Sequence, residues 1–114
     1  MPKDFKRSDR IAILIQEELA EMIRDEVKDP RLPKFITISQ ISVSPDLKQA
    51  KVYLTVLGEK EAGERAVSIL NHAAPFLRTL LAKSMRLRAT PQLHFIYDAF
   101  LEEALHLSHL IDKL

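Results

Sequence analysis

"ITISQISVSPDLKQAKVYLTVL", residues 36–57, holds two strands and the turn between them. Residues 36–44 are rich in β-branched side chains, which suit a pleated, half-buried surface. Their alternation changes phase between Ile38 and Ile41, and this predicts a bulge or twist near Gln40. "SPDL" (44–47) places Pro45 and Asp46 where a tight turn wants them. After it, Ala50, Val52, Leu54 and Val56 alternate with Lys51, Tyr53 and Thr55. That spacing predicts a strand covered on one face and wetter on the other, paired with the first as a hairpin.

On the N-terminal side, Ile11, Leu14, Ile15, Leu19, Met22, Ile23 and Val27 recur mostly at intervals of three and four. They predict an amphipathic helix over about 9–28, with Ser8 and Asp9 as candidate N-caps. "DPRLPKF" (29–35) ends it, because prolines cannot continue the hydrogen-bond ladder. On the C-terminal side, the helical period returns from Lys60 to Ala74 and is interrupted at Pro75. Phe76, Leu77, Leu80, Leu81, Ser84, Met85 and Leu87 then resume it. A proline inside such a pattern predicts helix–kink–helix, over about 60–73 and 76–87. "QLHFIY" (92–97) alternates as a third strand, and 100–112 predict a short last helix through Leu101, Ala104, Leu107 and Ile111. The expectation is one α+β domain over residues 1–114, in two layers, with the helices mostly on one face of the strands.

With 114 residues, 46% of them apolar, the chain can bury a core without staples. It has no Cys, which excludes a disulfide framework, a thiolate metal site and a Cys nucleophile. No apolar run approaches the roughly 20 residues of a membrane span. "MPKDFKRSDR" lacks the apolar core of a secretory signal, so a soluble cytoplasmic protein is expected. Gly58 and Gly63 are the only glycines, so there is no Gly-rich phosphate loop. No nucleophile–base constellation can be singled out, and an enzyme is not expected. His106 and His109, at i and i+3 near Glu102, Glu103 and Asp112, have spacing that can hold a metal. An exposed polar face explains them more simply, and no metal or cofactor is expected. Asp98, after a strand end, reads equally as a catalytic carboxylate or a helix N-cap.

The net charge of +1 hides a segregation. Residues 1–10 carry Lys3, Lys6, Arg7 and Arg10 against Asp4 and Asp9. From Phe76 to Tyr97 there is no carboxylate, while Arg78, Lys83, Arg86 and Arg88 are present. On a helical wheel Phe76, Leu77, Leu80, Leu81, Met85 and Leu87 share one arc, and Arg78, Thr79, Ala82, Lys83 and Arg86 the other. Arg88 falls beyond the helix end. A solvated helix face accounts for such a pattern in many proteins, but cations without an anion on one short face point toward nucleic acid. Tyr53 and Lys51 share the wetter strand face and could stack bases, although Tyr53 alone reads as partial core.

Three blocks carry a resemblance: "RIAILIQEELAEMIRDEVKDPRL" (10–32), "ISVSPDLKQAKVYLTVLG" (41–58) and "FLRTLLAKSMRLRATPQLHFIYD" (76–98). With their spacing, they resemble the ribosome-binding factor A family over about 6–111. The resemblance implies a KH-like, type II fold of αββααβ order. It implies a non-enzymatic assembly factor that binds the immature small (30S) ribosomal subunit and its 16S rRNA. Late maturation, rRNA 5′-end processing, a cold-shock role and release with help from an assembly GTPase come with it. The free protein is expected to be a monomer with no membrane partner. The family replaces the KH GXXG loop with a kink at an Ala-x-Gly sequence, and here Ala73-Ala74-Pro75 stands at that place. Proline bends a chain but removes an N–H and lacks glycine's φ freedom, so GXXG-style clamping is excluded. The chain ends at Leu114, whereas family members often carry a longer charged tail. Arg78, Lys83, Arg86 and Arg88 are the expected phosphate contacts, with Arg7, Arg10 and Arg31 in a second tier. The alternative is an α+β protein-interaction module without direct RNA contact.

Overall fold

The computed structural model describes residues 7–58, 60–86 and 89–98. Five elements follow in order: α1 (Arg7–Glu26), β1 (Ile36–Val43), β2 (Gln49–Val56), α2 (Lys60–Met85) and β3 (Gln92–Tyr97). The sheet order is β1-β2-β3. β1 and β2 are antiparallel, and β2 and β3 are parallel, as the long α2 crossover between them requires. The predicted last helix over 100–112, with His106 and His109, lies outside the described residues.

The predicted hairpin forms, and the register slips between Ile38 and Gln40, leaving Ser39 as the extra residue. That slip keeps Ile38, Ile41 and Val43 on the same buried face despite their odd spacing. The turn is built by Ser44 and Asp46. The Ser44 hydroxyl donates to Asp46 at 2.6 Å, and the Lys48 N–H donates to the same carboxylate oxygen at 3.0 Å. These bonds, the hydroxyl's first, hold the Asp46 carboxyl below its ordinary pKa. Leu47 takes a left-handed φ of 62° and packs against the core.

Ile15 and Leu19 of α1, Leu70, Leu77 and Leu81 of α2, and Ala50, Val52 and Leu54 of β2 are fully buried together. Both helices therefore cover one face of the sheet, α1 over β1 and α2 over β2 and β3. Gly63 lets α2 approach the sheet closely, since a Cβ there would meet the Tyr97 ring.

The two helical segments expected on either side of Ala73-Ala74-Pro75 form one element. α2 runs through Pro75 as one element of 26 residues. Proline there forfeits one backbone bond, to the carbonyl of Asn71. The buried row of Leu70, Ala74, Leu77 and Leu81 on both sides of it holds the helix to the sheet regardless. The Thr79 hydroxyl donates back to the Pro75 carbonyl at 3.0 Å. Within the second half of α2, Leu77 and Leu81 are buried as the wheel requires. Phe76, expected on the apolar arc, is instead half exposed. Ser8 and Asp9, read as caps, lie inside the first turn of α1.

Candidate nucleic-acid interface

The topology decides which cations meet. α1 runs antiparallel to β1: the Gln16 amide donates to the Ile38 carbonyl at 3.2 Å. Further along α1, Ile23 and Arg24 line a groove with Ile36 and Thr37. α2 runs antiparallel to β3: Asn71 brackets Phe95, accepting from its N–H at 2.8 Å and donating to its carbonyl at 3.0 Å. Arg78 Nε donates to the Thr90 carbonyl at 3.0 Å. Val43, Ala50 and Leu93 lie level across the sheet. The start of α1, the end of α2 and the hairpin turn therefore lie toward one end of the sheet, with the last turn of α2 beside the middle of α1, where Ser84 meets Glu18. That end carries Arg7, Arg10, Lys83, Arg86 and, from the turn, Lys48, all exposed.

Among the described residues, no carboxylate comes within ion-pair distance of these five side chains. Asp9 lies in the same first turn as Arg7 and Arg10, and the Lys48 charge acts on the Asp46 carboxyl. The basic face is bounded on the α1 side by Glu18, whose carboxylate accepts from the Ser84 hydroxyl at 2.8 Å. Arg86 ends α2 in an unusual way. Its N–H donates to the Ala82 carbonyl at 3.1 Å, and its φ is 53°. That left-handed conformation at a helix end ordinarily belongs to glycine or asparagine.

The other predicted residues separate. Arg78 is tied by Nε to the loop before β3, and its terminal nitrogens remain for a second acceptor. Arg31 sits at the opposite end, after α1, and is committed to Asp29 through Nε at 3.1 Å and Nη2 at 2.8 Å. This bond, with the Arg31 N–H donating to the same carboxylate at 2.9 Å, lowers the Asp29 pKa to about 2. "DPRL" is therefore a self-bonded turn that steers α1 into β1. Arg88 lies outside the described residues. Lys48 was missed, because its place beside the start of β3 depends on strand register rather than sequence spacing. Among the described residues no cluster of three His, Asp or Glu could hold a metal ion. No described helix is long and apolar enough to cross a membrane.

Three strands with two helices on one face define a small two-layer α+β domain with exposed cations on α1, α2 and the hairpin turn. Comparison with known proteins gives the particular family. The sequence pattern of ribosome-binding factor A matches residues 7–111. The chain is 52% identical over 114 residues to ribosome-binding factor A of Legionella pneumophila, spanning 100% of this chain and 91% of that one. It therefore belongs to the ribosome-binding factor A family. Its fold is similar to the solution structure of a Thermotoga maritima protein described as a putative ribosome binding factor A. The TM-score is 0.73, with 36% identity over 84% of this chain and 91% of that one. It is also similar to the Thermus thermophilus ribosome binding factor A coordinates fitted into a cryo-EM map of a complex with the 30S subunit. There the TM-score is 0.62, with 29% identity over 75% of this chain and 88% of that one.

Proposed function

We propose that this chain is a non-enzymatic assembly factor that binds the immature small ribosomal subunit through its 16S rRNA. It would promote late maturation and processing of the rRNA 5′ end, with an assembly GTPase aiding its release. The observation that carries this reading is that Arg7, Arg10, Lys83 and Arg86 are all exposed and, among the described residues, none has a carboxylate within ion-pair distance. The relative seen on the 30S subunit supplies the kind of polyanion they fit. In this reading the domain is KH-like without a GXXG loop, so phosphates are held by side-chain charge and released counterions drive binding.

The test is sedimentation of the protein with purified small subunits across a salt series. Co-migration with free small subunits, falling steeply with salt, supports the reading. Arg86→Glu should weaken it far more than Lys113→Glu, and equal losses would remove the basic end from the mechanism. Cells lacking the protein should accumulate small-subunit rRNA extended at its 5′ end.

A second reading, docking on protein, is favoured by Phe35 and Leu57. They are 68% and 78% exposed, and they are joined by a backbone bond of 3.2 Å at the end of the sheet opposite the cations. It predicts association that survives nuclease and moderate salt and is lost in Leu57→Ser.

A further inference from the structure

The face of the sheet away from the two described helices has no role in the proposed function. Both helices pack on the face that buries Ala50, Val52 and Leu54. Lys51, Tyr53 and Thr55 point the other way, where no described element covers them. The register sets these side chains in rows across the three strands. Lys51 lies between Ser42 and His94, and Tyr53 lies between Gln40 and Ile96. The His94 ring is 2.6 Å from the Gln49 side-chain oxygen. Among the described residues, Asp98 is the carboxylate on this face, at its far end, where the Ser39 hydroxyl donates to it at 2.7 Å. The row holding Lys51 and His94 is one step from the Val43–Ala50–Leu93 level, at the end where Lys48, Lys83 and Arg86 lie.

We propose that the open face of the sheet is a second RNA-contact surface, on which Tyr53 stacks with a base of a single-stranded segment and Lys51 binds its backbone. The proposal rests on the reading that this chain binds rRNA, and it adds where the strand goes after the basic end. Three features of the surface support it. It is continuous with the candidate interface, so one strand can pass from the α2 cations over the hairpin end onto the sheet. Its charge near that end is positive, which suits a phosphate backbone. Its half-buried aromatic ring lies between Gln40 and Ile96, uncharged neighbours that suit an unpaired base. A base inside a duplex offers no face to such a ring, so the ligand is single-stranded. A protein partner would seek larger exposed apolar area, and that lies elsewhere, at Phe35 and Leu57.

The strand alternation already puts Tyr53 with Lys51 on the wetter face, and the structure shows the residue half-buried there.

The experiment measures binding of the full chain to purified small subunits and to oligouridylate. The variants are Tyr53→Leu, Tyr53→Phe, Lys51→Glu, Arg86→Glu and, as a control at the other end of the sheet, Lys60→Glu. Stacking on one aromatic supports about a tenfold loss for Tyr53→Leu on both ligands. Tyr53→Phe keeps the ring and should bind as the parent does. It also separates loss of stacking from loss of fold, since both variants retain an apolar side chain. Lys51→Glu should lower affinity and the salt dependence together, and Lys60→Glu should do neither. If Tyr53→Leu and Lys51→Glu bind like the parent while Arg86→Glu does not, the sheet face is overturned and the rRNA reading stands. If Arg86→Glu also binds like the parent, the rRNA reading fails and takes this proposal with it.

Discussion

Arg86→Gly separates what this residue does for the fold from what it does for binding. Arg86 closes α2 with φ at 53°, the left-handed region where an L side chain crowds the carbonyl that follows it. That conformation costs a non-glycine residue about 1–2 kcal/mol. Glycine removes the crowding but brings about 0.5–1 kcal/mol of extra chain entropy to the unfolded state. The net expectation is a gain of about 0.5–1 kcal/mol, which in a domain of this size raises the melting temperature by about 4 °C at most. The same substitution deletes one exposed cation from the basic end. Losing one phosphate contact should flatten the slope of log affinity against log salt by about one unit. Arg86→Ala is the matched control, since it loses the charge and keeps the backbone cost. The assays are thermal unfolding by circular dichroism and subunit binding across a salt series. Arg86→Gly should be the more stable of the two variants and equally weak in binding. A glycine variant less stable than the alanine one would refute the backbone argument. An unchanged salt slope in both would refute the placement of Arg86 on a phosphate.

Two further substitutions test the packing and the turn. Gly63→Ala drives a methyl group into the Tyr97 ring and should cost about 1–3 kcal/mol. A double-mutant cycle with Tyr97→Ala should recover most of that loss, and additive losses would show that the ring is not the obstacle. Asp29, held at about pKa 2 by Arg31, binds its proton less readily folded than unfolded. Its contribution to stability is therefore complete above about pH 4, the ordinary Asp range, and is lost as pH falls toward 2. Carboxyl chemical shifts followed by NMR should show that low midpoint, and in Arg31→Ala the midpoint should return to the ordinary range.

The parts of this fold that depend on neighbours in sequence were legible from it. The hairpin, its turn and its bulge follow from alternation, from Pro45 and Asp46, and from the phase change between Ile38 and Ile41. All three appear where the pattern puts them. Pro75 was legible as an interruption of the helical pattern, but sequence alone did not show that the helix continues through it, because that continuity rests on the burial of Leu70, Ala74, Leu77 and Leu81 against the sheet. The candidate interface was half legible. Lys83 and Arg86 follow from the helical wheel, but their place toward the same end as Arg7, Arg10 and Lys48 needs the strand order and the antiparallel run of both helices. Arg31 read as a cation like the others, and only geometry shows it spent on Asp29 two residues earlier.

Three of these cations stand where local stability would not place them. Arg86 occupies a glycine conformation, and Arg7 and Arg10 lie at the first turn of α1, where the helix dipole already presents positive charge. A cation at that end costs about 0.3–1 kcal/mol where an anion would gain as much. For an anionic ligand the same placement is favourable, since dipole and side chains act together on a phosphate. A residue kept against local preference and without an internal partner is better explained by binding than by folding. Arg10→Glu makes the argument testable. It should raise thermal stability slightly, because a carboxylate in the first turn suits the dipole, and it should weaken subunit binding through loss and reversal of one charge. Arg24→Glu serves as the contrast, since Arg24 sits in the last turn of α1 beside Asp25 and its reversal opposes the dipole. It should lower stability and leave binding nearly unchanged. Opposite signs in the two measurements for the two arginines are what a basic end shaped for binding requires. If Arg10→Glu instead destabilises the helix and spares binding, the cations at the start of α1 belong to the fold and the interface contracts to α2.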